Sequence, residues 1–260
     1  MNNQFSDIKE FWKKQAQKHS HSSLATSPDT IAYEMELKQI KQRIPEGSKV
    51  LDVGCGNGIK GVELCKELNI DYYGMDYSEE MIEQAHQLSR KSSGFLKGNV
   101  RFFVGDILDF NSIPYKGFDL VLSDRCLINL KTIENQISAA KNIHTVLNPK
   151  GTYLMFENSQ QGLNNLNSVR KNFGLSDIQV RWHNIYVDET RFFPGVREYF
   201  SLSETVSFAS TYYLLSRTLN ALLTPPGMEI DYMSEINKLS ARLPPLGDFA
   251  PIKLFVLHRI

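Results

Sequence analysis

The chain has 260 residues, enough for one large α/β domain with a sizeable core. Its 29 basic and 29 acidic side chains cancel to a formal net charge of zero, so no whole-protein field draws it to nucleic acid. The longest apolar runs fall short of the roughly 18 residues a membrane span needs.

The opening stretch MNNQFSDIKEFWKKQ lacks the apolar core of a signal peptide. Residues 5–19 carry Phe5, Ile8, Phe11 and Trp12 at helical spacing, with Lys13, Lys14 and Lys18 reading as a solvated face. Ser27-Pro28-Asp29 opens a second helix with Ile31, Met35, Leu37 and Ile40 as apolar positions, ending near Ile44 before a Pro45-Glu46-Gly47 turn. From there the rhythm changes. Short apolar runs at 49–53, 70–75, 100–104, 118–122 and 152–156 read as strands. Between them lie helix patterns through 62–68, from the cap Ser78 through Ala85, and over 133–147, the last stopped by Asn148-Pro149-Lys150-Gly151. Strands alternating with helices predict right-handed βαβ units and a parallel sheet covered on both faces.

Beyond residue 158 the pattern loosens. A helix is expected over 163–173, a strand or extended segment over 179–187, a strand over 196–206, a strong helix over 212–223 and a final strand over 252–257. Pro225-Pro226-Gly227 and Pro244-Pro245-Leu246-Gly247 punctuate the piece before that strand. It is too long for a simple connection and reads as an insertion over the substrate rather than a second domain.

Val50-Leu51-Asp52-Val53-Gly54-Cys55-Gly56-Asn57-Gly58 puts glycines where a buried strand must turn into a helix. Glycine takes φ > 0 without penalty and lets a ligand approach the backbone. In an open parallel sheet, that crevice at the carboxyl ends of the strands is the ligand site. A plain tight turn has the same look. Two acids strengthen the ligand reading. Asp76 ends the second strand, 20 residues after Gly56, where a carboxylate can accept from ribose hydroxyls. Asp106 follows the third strand, within reach of an adenine amino group. The dinucleotide pattern G-x-G-x-x-G is not met, because the position after Gly58 is Ile59, and there is no Gly-Lys-Ser/Thr phosphate loop. Asp52 would repel a pyrophosphate but suits a ligand carrying an ammonium and a sulfonium.

The stretches VLDVGCGNG, YYGMDYSEEMIEQA, VRFFVGDI, FDLVLSDRCLINL and LNPKGTYLMFE, in that order over residues 30–157, resemble class I S-adenosylmethionine-dependent methyltransferases. The resemblance implies a Rossmann-like, doubly wound α/β fold: a seven-stranded, mostly parallel sheet with an antiparallel last strand, N-terminal helices and a helical insertion before that strand. It implies one methyltransferase domain, with residues 1–45 as a helical cap, 46–157 as the cofactor core and 158–260 as the acceptor-side half, the insertion falling at about 207–248. The cofactor would be S-adenosyl-L-methionine. Asp52, Gly54, Cys55 and Gly56 would line its methionine end. Asp76 would hold the ribose beside Tyr77 and Met81, Asp106 and Ile107 would meet the adenine, Ser123 would face the methyl group, and the helix bearing Tyr33 would close over it.

Methyl transfer from a sulfonium needs alignment in a dry site, and a base only where the acceptor must lose a proton. The Asn/Asp-Pro-Pro-aromatic motif of nucleic-acid and protein-glutamine amino-methyltransferases is missing after the fourth strand, where Ser123-Asp124-Arg125-Cys126 stands instead. Arg125 is a candidate for an acidic or sugar group of the acceptor, or else a structural partner of Asp124 or Asp106. Asn129 could bind substrate or cap a helix. His183 is a candidate general base, or else, and more in keeping with an ordinary histidine, a structural or binding residue. The aromatic residues at 192–193, 199–200 and 212–213 suit core packing or an apolar lid. The expected acceptor is a small molecule, with no nucleic acid and no membrane span, in a monomer or homodimer. An RNA or protein methyltransferase, a non-catalytic S-adenosylmethionine-binding protein and an NAD-dependent oxidoreductase are the competing readings. No metal site is expected, and cysteines at 55, 65 and 126, at spacings that match no zinc motif, fit a reducing, cytoplasmic setting.

Overall fold

The expected strands and helices assemble around one sheet in a computed structural model that describes Ile8 and residues 10–12, 29–225, 227–228 and 230–260. Its strands are Lys49–Val53 (β1), Asp71–Asp76 (β2), Asn99–Val104 (β3), Phe118–Asp124 (β4), Leu147–Asn158 (β5), Phe200–Val206 (β6) and Ile252–Arg259 (β7). Their order is β3-β2-β1-β4-β5-β7-β6. The β1–β5 pairs are parallel, and β7 runs antiparallel to both of its neighbours. This is the Rossmann-like α/β methyltransferase sheet that the sequence led us to expect.

Nine helices are described: Thr30–Lys41 (α1), Ile59–Glu67 (α2), Glu79–Ser92 (α3), Ile133–Val146 (α4), Gln160–Asn172 (α5), Glu189–Val196 (α6), Ser210–Arg217 (α7), Leu219–Leu223 (α8) and Glu235–Ser240 (α9). Local chemistry fixes their starts. Asp29, Ser78, Thr132, Ser159 and Asp188 each accept a first-turn N–H, so the helices begin where a short polar side chain satisfies an orphan donor. Alternation along the strands then divides the core in two. Val50, Leu120, Leu122 and Tyr72 pack with residues of α1, α2, α3 and α7 on one face. Leu51, Val53, Val121 and Met75 pack with α4 and α6 on the other.

Three expectations change, and one helix was not expected. The Asn148-Pro149-Lys150-Gly151 turn lies inside β5 as an irregularity: Leu147 already pairs Phe118, and Thr152 pairs Leu120. Residues 179–187 form no strand; only Val187 bridges to Ser159. Residues 189–196 are helical despite Pro194, because a short helix loses only one backbone bond to the proline and Asp188 caps its start. The single helix expected over 212–223 breaks at Thr218, which has φ −115° and whose hydroxyl bonds back to the Leu214 carbonyl. The expected helix over 5–19 lies mostly outside the described residues, of which Ile8 and 10–12 are helical. Among the described residues no helix is long and apolar enough to cross a membrane.

Candidate active site

The carboxyl ends of β1–β4 open into one cleft with about 1230 Å³ of atom-free space, part of it open to solvent. The glycine turn forms its floor. Gly54, Gly56 and Gly58 have φ of 77°, 56° and 77°, which is left-handed backbone. A Cβ on Gly54 would sit 2.6 Å from Cys126 Sγ, so side chains are excluded where the backbone meets the cleft. The turn is pinned to β2: the Gly54 and Cys55 N–H groups donate to the Met75 carbonyl at 2.8 and 2.9 Å.

Asp76 stands at the end of β2 and accepts from Gly56 N–H at 3.0 Å and Ser78 N–H at 2.9 Å. Each oxygen keeps further lone-pair capacity for a ligand hydroxyl. Burial pushes its carboxyl up to about 6, against the pull of those backbone amides. Tyr77 and Met81 stand beside it, and the Tyr77 hydroxyl is buried without a partner. Asp106, exposed after β3, accepts from Leu108 N–H at 2.9 Å, and Ile107 packs beneath. These residues, with Gly54, Cys55, Gly56 and Tyr33, all line the cleft.

The opposite end is ionic. Asp124 ends β4, and Arg125 follows with φ 52°, a strained position for a non-glycine residue. The strain is held from three sides. Arg125 N–H donates to the Phe156 carbonyl, Asn129 Nδ2 donates to the Arg125 carbonyl, and the guanidinium forks onto Glu36 of α1 at 2.8 and 3.0 Å. Asp124 pairs Lys60 of α2 at 2.8 Å and faces Arg125 Nε at 3.4 Å. Glu157 braces this segment from below. Wholly buried, it accepts from the N–H groups of Cys126 and Leu127 and from the Ser123 hydroxyl, all within 3.1 Å. Its burial outweighs those bonds and raises it to about 7.

Three expectations are corrected here. Asp52 does not reach the cleft. Strand alternation turns it onto the α2 face with Val50, where it accepts from Tyr72 at 2.5 Å with Lys60 at 4.0 Å. Ser123 is fully buried, bonded to Tyr153 at 2.7 Å and to Glu157, and does not line the cleft. His183 lies behind the wall: it is buried, stacks on Phe11 at 4.5 Å and touches the edge of Trp12, which itself lines the cleft. Burial and Arg181 hold its pKa below the usual imidazole range, so it is neutral at pH 7. Arg125 lines the cleft, but its partners are Glu36 and Asp124, not Asp106. Glu36, Lys60 and Glu157 were not foreseen, and Asp124 was foreseen only as a partner of Arg125. Each reads in sequence as an ordinary helix-face or strand-end charge.

A methyltransferase-domain family profile matches residues 44–188, more than half of the chain and the whole span of the cleft-forming strands. The chain belongs to that family. The chain is 31% identical to a sterol 24-C-methyltransferase of Debaryomyces hansenii over 117 residues, which cover 45% of this chain and 29% of that one. It is 38% identical to ajmaline N-methyltransferase of Rauvolfia serpentina over 88 residues, 34% of this chain and 29% of that protein. The chain thus spans under a third of the length of these relatives. Its fold also resembles the N-methyltransferase NodS of Bradyrhizobium japonicum, solved with S-adenosyl-L-homocysteine, with a TM-score of 0.57 at 14% identity, covering 99% of this chain and 98% of that one.

S-adenosylmethionine is the cofactor of this family, and the cleft of this methyltransferase fits it. Its nucleoside end offers Asp76 with spare acceptor capacity and an orphaned Tyr77 hydroxyl. Its other end carries Asp124 between Lys60 and Arg125, a mixed-charge wall that suits the zwitterionic amino-acid end of the ligand.

Proposed function

We propose that this methyltransferase moves the methyl group of S-adenosylmethionine to a small, polar acceptor, a hydroxyl of a sugar-like or secondary-metabolite molecule. The cofactor supplies a methyl group already activated on a sulfonium. Asp76 would hold the ribose hydroxyls and Asp106 the adenine amino group. Gly54 and Gly56 let the ligand lie against the backbone, and Tyr33 and Trp12 screen the cleft from water.

The observation that carries the acceptor class is an unpartnered hydrogen-bond acceptor on the cleft wall, with further unpartnered buried side-chain atoms in and beside the 181–187 segment behind it. Asn129 Oδ1 lies on its wall. Asn158 Oδ1, His183 Nδ1 and Asn184 Oδ1 are also unpaired. They belong to the 181–187 segment and the residues it runs beside, since Ile185 N–H donates to the Ile128 carbonyl and Val187 N–H to the Asn158 carbonyl. Buried acceptors of this kind favour a ligand rich in O–H donors. Zero net charge counts against RNA.

The test is transfer of labelled methyl from S-adenosylmethionine to panels of glycosides and polyols, amines, RNA and protein, with cofactor binding read separately by calorimetry. Label in a hydroxylated small molecule supports the reading. Salt-sensitive label in RNA alone would replace it, and failure to bind S-adenosylmethionine would end both enzyme readings.

A further inference from the structure

One buried ionic chain runs through and behind the part of the cleft wall that carries Lys60, Asp124 and Arg125. Its members come from four elements. Asp52 lies on β1, Lys60 on α2, Asp124 at the end of β4 with Arg125 just after it, and Glu36 on α1. Contacts link them in order: Asp52 to Lys60 at 4.0 Å, Lys60 to Asp124 at 2.8 Å, Asp124 to Arg125 at 3.4 Å and Arg125 to Glu36 at 2.8 Å. Three acids face two bases, so the set holds one carboxyl more than its own cations can neutralise. Lys60, Asp124 and Arg125 face the cleft. Glu36 and Asp52 lie behind them and are wholly buried.

Burying an unmatched carboxylate is costly, so in the free protein the extra carboxyl is best kept protonated, and it ionises where a positive charge is added nearby. Cofactor and product differ in this respect. S-adenosylmethionine carries a sulfonium. S-adenosylhomocysteine, left after methyl transfer, carries a neutral thioether at the same atom. With the nucleoside at Asp76 and Asp106, the charged end of the ligand falls to the wall formed by Lys60, Asp124 and Arg125.

We propose that the Glu36–Arg125–Asp124–Lys60–Asp52 chain discriminates the charge state of the ligand, favouring the sulfonium cofactor over its thioether product and so promoting product release, with Glu36 as the residue that sets the difference. This rests on the cofactor assignment above. Glu36 is suited to the role. Burial pushes it up to about 8 even though Arg125 pulls the other way. The charged and titratable groups facing it are Arg125 and Asp124 from the end of β4, Lys60 from α2, Asp29 and Tyr33 from the cap and body of α1, and Tyr213 from α7. Near neutral pH Glu36 holds a proton for much of the time. An added positive charge in the cleft draws that proton off, and a neutral thioether does not.

The experiment compares wild type with Glu36→Gln, which keeps an acceptor facing Arg125 and removes the charge. Dissociation constants for S-adenosylmethionine, S-adenosylhomocysteine and 5′-methylthioadenosine are measured by calorimetry near pH 9, where Glu36 is ionised. The expected result is a fall in the cofactor-to-product affinity ratio on the order of tenfold, the scale of one unit charge acting across a protein interior of effective dielectric about 20. Methylthioadenosine, which lacks the amino-acid end and the charge, should bind both proteins equally. At pH 7, wild-type binding of S-adenosylmethionine should release protons, seen as heats that vary with buffer ionisation enthalpy, and product binding should not. An unchanged ratio, or equal losses for all three ligands, overturns the proposal. A wild type that binds none of them overturns the cofactor assignment instead.

Discussion

Replacing Asp76 probes the nucleoside end of the cleft most directly. Its two oxygens already hold Gly56 N–H and Ser78 N–H at 3.0 and 2.9 Å, and what remains is capacity for ligand hydroxyls. Asp76→Ala removes both functions. Losing a hydrogen bond to a charged group costs about 1.5–3 kcal/mol, and orphaning a buried donor costs about 1–3 kcal/mol. The second cost falls on the free and the bound protein alike, so it appears in stability more than in affinity. Cofactor affinity should therefore fall by about 1–3 kcal/mol, or roughly 5–150-fold in Kd. Titration calorimetry reads this value without needing the acceptor. The pH profile gives a second check with a definite sign. Burial raises Asp76 to about 6, and only the ionised carboxylate accepts on every lone pair. Wild-type affinity should be full above that pH and decline as pH falls through it, while Asp76→Asn, which cannot titrate, should lack this step. An Asp76→Ala protein binding within roughly twofold of wild type would refute the ribose assignment.

Two further substitutions test the walls. Glu157→Gln puts an amide nitrogen where an oxygen accepts from the 126–128 backbone, and should lower stability by about 1–3 kcal/mol, read as a lower urea midpoint at unchanged m; an unchanged midpoint would remove Glu157 as the brace of that segment. His183→Phe should keep turnover, because it preserves the stack on Phe11, whereas His183→Ala should raise KM by loosening Trp12. Trp12 and Trp182 are the two tryptophans of the chain and both touch His183, so intrinsic fluorescence follows the stack; lost turnover in both variants would restore His183 as a base.

The cleft-forming strands were largely legible in the sequence because local signals suffice there. Apolar runs mark β1–β5, and a glycine turn followed by Asp76 marks the ligand end. The side on which Asp52 falls was not legible. β1 is buried on both faces, so its residues carry no polar alternation to say which face meets the cleft. Glu36 and Lys60 were invisible for a different reason. Each sits on a helix among other charges, and only the docking of α1 and α2 against β4 turns them inward. Arg125 fell between the two: a charge in an apolar run is visible, but its partner lies 89 residues away on α1. Residues 179–187 misled because their apolar positions resemble a strand although only Val187 finds a bridge partner, and the helix at 189–196 went unread although Asp188 supplies its start.

Residues 207–251 leave the sheet from β6 and return to it in β7, and Val206 and Leu254 pair across the gap. Topologically this whole stretch is the loop of a hairpin. Its ends are fixed by the sheet whatever lies between them, and lengthening a loop costs only in proportion to the logarithm of its length. It nevertheless brings Tyr213 against Glu36 and Arg125, at the edge of the reaction cleft. Mutation can thus rewrite that edge, in length as well as in residue, while the strands that carry the glycine turn, Asp76 and Asp106 keep their register. Such an architecture lets one methyl-donor site be inherited intact by enzymes that diverge in what they methylate.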